Sequence, residues 1–137
     1  MIRYAAAYIA TIFVFILMDI GWISSTANTL YRPVLKDMLL TQFRPAPAIA
    51  FYLLYAFGVI FLAVLPALRD DRWTQATIYS AVLGLVAYGT YNLTNFAILK
   101  NWDTKITLAD MAWGTFATAL AATAGYFAAG FAERALR

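Results

Sequence analysis

The chain has 137 residues and contains neither cysteine nor histidine. The first absence removes disulfides and thiol nucleophiles. The second removes imidazole bases and haem-ligating histidines, and the two together remove the usual zinc ligands. Charge is scarce as well: 12% of the residues carry it, against about 25% in an ordinary soluble domain. In its place the chain is 64% hydrophobic and 17% aromatic, with a mean hydropathy of +0.71. This composition marks an integral membrane protein of one domain, residues 1–137. The ten basic residues are scattered, not clustered. The net charge of +3 therefore suits loops that touch anionic lipid head groups, and nucleic acid is not an expected partner.

A spanning helix takes about 20 apolar residues. Four segments qualify: residues 4–23, 46–68, 74–99 and 106–132. Pro47 falls near the start of the second, where a missing N–H is harmless, and Pro66 near its end. The opening "MIRYAAAYIATIFVFILMDIGW" is too long for a signal h-region and lacks a small-x-small cleavage site. It reads as a retained first helix. One connection is long, "SSTANTLYRPVLKDMLLTQFRPAP". Within it Leu35, Met38 and Leu39 share a helical face, with Lys36, Asp37 and Gln42 elsewhere. This pattern predicts a short amphipathic helix lying at the interface over residues 30–42. The links "RDDRW" and "KNWDTK" are tight, which makes the last three helices antiparallel neighbours. The expected fold is all-α, with four transmembrane helices in an antiparallel bundle plus the interfacial helix.

Four spans put both termini on one side. Basic residues do not choose the side: Arg3, Arg69, Arg72, Arg134 and Arg137 stand against Arg32, Lys36, Arg44, Lys100 and Lys105. The arginines nearest the helix ends favour cytoplasmic termini.

Polar residues gather at one depth. Asp19 lies about 22 Å up the first helix at 1.5 Å per residue. Asn92 and Asn95 lie near the upper end of the third, which also runs upward. Asp110 follows the start of the descending fourth helix, and Tyr52 and Tyr55 lie about two turns into the descending second. All sit in one leaflet. Tyr88, Asn92 and Asn95 are spaced i, i+4, i+7, one stripe of a helix. "DIGW" and "DMAW" repeat a D-x-x-W pattern that ends in Trp22 and Trp113. On the fourth helix Gly114, Ala117, Ala121, Gly125 and Ala129 form a small-residue stripe suited to close helix contact. That stripe serves either internal packing or a seam with a partner protein.

The pieces "MDIGW", "YRPVL", "FYLLYAFGVIFLAVLPAL", "GLVAYGTYNLTNFAILKNW" and "TLADMAWGT" resemble an uncharacterised bacterial membrane family, domain of unknown function 2177. They cover nearly the whole chain in the family's order. The resemblance implies a four-helix bacterial inner-membrane protein, and no reaction, substrate or cofactor. The family's third-helix motif usually reads Y-D-L-T-N. Asn92 replaces that acid here, so a proton carrier at this position is absent.

A charged Asp at mid-helix costs about 2.5–3.5 kcal/mol on insertion scales, so Asp19 needs partners or a proton. It serves as a polar clasp to Asn92, Asn95 or a tyrosine, as part of a ligand site, or as a snorkelling group. Asp110 fits a capping box with Thr107. Trp22, Trp73, Trp102 and Trp113 fall near span ends, where an aromatic belt is expected. Arg32 is placed to pair with Asp19, Asp110 or a lipid phosphate, or to snorkel. Facing of Asn92 and Asn95 onto Asp19 would make one pocket with Trp22, Arg32, Tyr52, Tyr55, Tyr88, Asp110 and Trp113. It would suit a lipid head group or a small polar ligand. Catalysis ranks below binding, because no nucleophile–base motif is present. An accessory subunit docking through the small-residue face, a small transporter and a lipid-modifying enzyme are the alternatives. Membrane lipids are the expected partners, with a homo-oligomer or larger membrane complex also open.

Overall fold

The computed structural model describes residues 1–135. Arg137, counted above for orientation, lies outside them. Every regular element is helical, and no strand occurs among the described residues. The first helix α1 (Ile2–Thr26) runs without a break into a π turn (Ala27–Tyr31), α2 (Arg32–Leu35) and a 3₁₀ turn (Lys36–Met38). After an irregular stretch the chain descends through α3 (Pro45–Val59), a second π turn (Ile60–Val64) and α4 (Leu65–Arg69). α5 (Trp73–Ile98) ascends and α6 (Thr104–Ala135) descends.

Three stretches are long and apolar enough to cross a membrane: Ile2–Met38, Pro45–Arg69 and Thr104–Ala135. α5 has 26 residues, enough length, but Gln75, Asn92 and Asn95 dilute its apolar character. The outer faces are hydrocarbon. On α1, Ile9, Phe13, Leu17 and Ile20 are all more than half exposed. A soluble protein would bury such a stripe, whereas a bilayer covers it.

The inner faces hold small and polar residues. α1 buries Ala7, Thr11, Phe15 and Asp19, spaced four apart. α5 buries Ala76, Ser80, Gly84 and Asn92 in the same rhythm. α6 lies between them, and its packing on α1 and α5 is the most extensive in the molecule. Lipid tails are as apolar as leucine, so such contacts depend on close van der Waals fit. Gly84 provides it at one level: a Cβ there would stand 2.5 Å from the Gly114 carbonyl oxygen. At Gly125 a Cβ would stand 2.1 Å from Thr11 Oγ1.

Two features differ from the sequence expectation. The long connection is not one helix over residues 30–42. Helix α1 continues through the π turn to Met38, and the chain is irregular from Leu39 to Arg44. The descending rod 45–69 is interrupted by a π turn just before Pro66. Proline offers no N–H to the preceding turn, and a wider turn accommodates the gap. The small-residue face of α6 follows the internal-packing alternative. Gly114, Ala117, Ala121 and Gly125 are all buried against α1 and α5. In this structure the stripe serves contact between helices of the same chain.

Arg3 Nη1 meets Glu133 Oε2 at 3.3 Å, which ties the beginning of α1 to the end of α6. At that lower end Tyr126 donates to Asp71 Oδ1 at 3.0 Å. Asp71 adopts φ 51°, a left-handed value that Asp tolerates better than most residues, and so closes the tight link into α5.

Candidate functional site

The upper end of the helices is where the polar side chains meet. Asp19 lies on the inward stripe of α1, 8% exposed, and accepts a hydrogen bond from the Tyr52 hydroxyl of α3. Asp110, two turns into α6 and 4% exposed, accepts from the Tyr31 hydroxyl and from Asn92 Nδ2 at 2.6 Å. The two carboxyls lie within Coulombic reach of each other. Five helical elements thus contribute to one acid-centred network: α1, the π turn, α3, α5 and α6.

Local sequence explains why each group points inward. Asp19 continues the four-residue rhythm of Ala7, Thr11 and Phe15, so the core-facing stripe carries it. Asn92 continues that of Ala76, Ser80 and Gly84. Tyr31 arrives differently. The π turn after Thr26 adds a residue to the helical register and brings the Tyr31 hydroxyl onto Asp110. Tyr31 also accepts from Trp22 Nε1 at 2.8 Å. Trp22 stacks on Trp113 with ring centroids 4.8 Å apart and planes 6° from parallel. The paired D-x-x-W motifs therefore meet: each aspartate helps floor the site, and the two indoles lie face to face.

Several expectations change here. Asn92 gives its amide to Asp110 and to the Tyr88 carbonyl at 3.0 Å, not to Asp19. Asn95, only half-buried, faces Tyr91 of its own helix and stands apart from Asp19. Asp110 is not a cap. Asp103 does that work, its Oδ1 accepting from the Ile106 N–H at 3.0 Å, while Thr107 Oγ1 donates to the Asp103 carbonyl. Among the tryptophans, Trp102 is buried beside Val34 and Ile106 and joins no belt. Trp73 remains half exposed near the lower end. Arg32 is exposed and forms no ion pair with either aspartate among the described residues.

Above the network lies a cavity of about 850 Å³. Asp19 and Asp110 reach its floor. Tyr55, Tyr88 and Tyr91 line its sides with Phe51 and Ala87. Tyr31 and Arg32 come from the crossing segment, and Leu35, Leu39, Leu40 and Phe43 roof it. Tyr55 is fixed by a 2.8 Å hydrogen bond with Thr118 and by its ring contact with Phe15 at 5.0 Å. Tyr88 is held where it is because Gly114 opposes it without a side chain. The cavity exists because the descending rod leans. α5 packs on its lower part, the π turn and α4, with no comparable contact to α3 above. The upper halves of α3 and α5 thus part, and the crossing segment spans the gap.

Of the residues singled out from sequence, Asp19, Arg32, Tyr55, Tyr88 and Asp110 line this cavity. Trp22, Tyr52, Asn92 and Trp113 support it from behind through the contacts above, and Asn95 does neither. Sequence reasoning missed Tyr31, Thr118, Tyr91 and Asp103. Tyr31 stands in the "YRPVL" piece, but a residue assigned to a surface helix carries no signal that it turns inward. Among the described residues no group of three or more metal-ligating side chains forms.

A family described as Predicted membrane protein (DUF2177) matches residues 4–127. No curated protein and no solved structure matches the chain.

Proposed function

Because the chain belongs to this family of predicted membrane proteins, DUF2177, we propose that it spans the membrane four times as an antiparallel bundle and holds a lipid head group or a small polar molecule in one leaflet. The bacterial inner membrane is the proposed location, with both termini cytoplasmic and Arg32 and the crossing segment at the opposite interface. The observation that carries the reading is the cavity itself. It has a polar floor of Asp19 and Asp110, and apolar and aromatic walls. Its volume falls within the roughly 300–1,000 Å³ of ordinary ligand pockets. Acids in hydrocarbon are costly, and those that persist tend to face a cavity or a functional partner. Tyr52 on Asp19, and Tyr31 and Asn92 on Asp110, hold both carboxyls in place, so the floor is preorganised. Purification in mild detergent followed by solvent extraction tests this. One species should be retained per chain, and Ala87→Trp, which pushes an indole into the cavity from its wall, should reduce that retention. Equal retention by both proteins contradicts the reading.

A further inference from the structure

We propose that the cavity selects an amphiphile bearing an amine: its ammonium group against Asp19 and Asp110 among the tyrosines, its phosphate, where it has one, on Arg32. This rests on the pocket reading above and names its ligand class. Two observations carry it. First, the floor presents two carboxyls and no basic side chain, and neither acid has an ion-pair partner among the described residues. Their donors are neutral: Tyr52 for Asp19, Tyr31 and Asn92 for Asp110. Two adjacent acids supplied only with neutral donors favour a cation over an anion. Second, Tyr31, Tyr55, Tyr88, Tyr91 and Phe51 surround that floor. Aromatic faces around a carboxylate recognise ammonium groups through the ring quadrupole. A hydrated metal ion gains little from such walls, and no metal-ligating group of three forms among the described residues.

The rim completes the match. Arg32 lines the cavity from the crossing segment, exposed and unpaired with the acids, and a guanidinium binds phosphate bidentately. Leu35, Leu39, Leu40 and Phe43 supply apolar cover for a chain. A phosphatidylethanolamine-type lipid and a simple long-chain amine share the ammonium chemistry, and only the first engages Arg32.

Delipidated protein in mixed micelles with equal phosphatidylethanolamine and phosphatidylglycerol, read by native mass spectrometry, tests the class. Dodecylamine and dodecanoate, added separately, are read by the same method. Binding of phosphatidylethanolamine over phosphatidylglycerol by about tenfold is the expected result, since each tenfold is about 1.4 kcal/mol, within the range of a desolvated cation–π contact. Dodecylamine should compete and dodecanoate should not. Asp19→Asn should remove the preference. Arg32→Gln should weaken the phospholipid and leave dodecylamine unchanged. If Asp19→Asn does not fold, Tyr91→Leu, whose side chain is half exposed, should weaken both amines. Dodecylamine binding without phosphatidylethanolamine supports the class and assigns a free amine as its source. Preference for phosphatidylglycerol or dodecanoate overturns the proposal and leaves the pocket reading standing. Absence of any bound species overturns both.

Discussion

Asn92 and Asp110 are the closest polar pair between α5 and α6, at 2.6 Å. Interhelical hydrogen bonds in membranes average about 0.6 kcal/mol, with a maximum near 1.7 kcal/mol in measured cycles. A double-mutant cycle of Asn92→Ala and Asp110→Asn, followed by thermal unfolding in detergent, should show coupling of this size. The cycle of Asn92→Ala with Asp19→Asn should be closer to additive, because Asp19 draws its donor from Tyr52. Equal coupling in both cycles would contradict the contact pattern. Gly114 offers a second test. A Cβ there would stand 2.1 Å from Tyr88 Cγ, well inside any real contact. Gly114→Ala should therefore destabilise by about 1–3 kcal/mol through overpacking and should disturb the cavity wall that Tyr88 forms. Gly21→Ala meets nothing within 4 Å and should be neutral, or stabilising by up to about 1 kcal/mol of helix propensity.

Asp19, Asp110 and Asn92 were legible in sequence because hydrocarbon leaves them few alternatives, whereas Asn95 stayed half-buried outside the network. Helix direction fixes their depth, and polarity fixes that they turn inward. Their pairing was not legible. Asn92 could have met either Asp19 or Asp110, and the choice follows from which helices touch: α5 packs on α6, not on α1 at that level. Tyr31 was hidden for another reason. Its inward turn depends on a π turn, and nothing in "STANTLYRP" distinguishes an α from a π hydrogen-bond register.

At the scale of elements, α6 begins at a cap that the sequence also contained. Asp103 sits three residues before Ile106, whose N–H it accepts. Asp103→Ala should cost about 1 kcal/mol, and Asp103→Asn much less, measured by the same thermal unfolding. Asp110, two turns inside, should instead affect ligand retention. The apparent capping box from Thr107 to Asp110 was a coincidence of spacing. Thr107 donates to its own helix, so the box had no N-terminus to cap. The long rods themselves were readable from apolar length. Their interruptions were not, apart from Pro66, which marks where the descending rod must loosen. The roof is a helix extension followed by an irregular stretch with Met38, Leu39, Leu40 and Phe43 exposed. Spin labels along residues 35–43 should report lipid contact at those four positions. Uniform water exposure would remove the roof from the membrane.

Across the molecule many branched aliphatic and aromatic residues face outward, and the inside holds glycine, alanine, threonine and acid beside Phe15, Val59, Val64 and Ile106. Composition alone made this legible. The splay between α3 and α5 was not, because it arises from where the descending rod touches its neighbours. The Arg3–Glu133 pair joins the first and last helices at the lower end. As a partly exposed ion pair it should contribute no more than about 1 kcal/mol, so Arg3→Gln should leave the fold intact. Reporter fusions at Met1 and at the C-terminus should report the same side, and opposite sides would rule out four spans.

The central claim is that the upper-leaflet cavity holds one defined molecule. A photoreactive residue placed at Ala87, on the cavity wall, reads this most directly against the same residue at Val82, which faces outward on the same helix. Illumination in native membranes followed by intact-protein mass measurement should give one adduct of a single mass at Ala87 and a mixture of bulk-lipid adducts at Val82. The same bulk-lipid mixture at both positions, or crosslinks from Ala87 to neighbouring helices alone, would contradict the account.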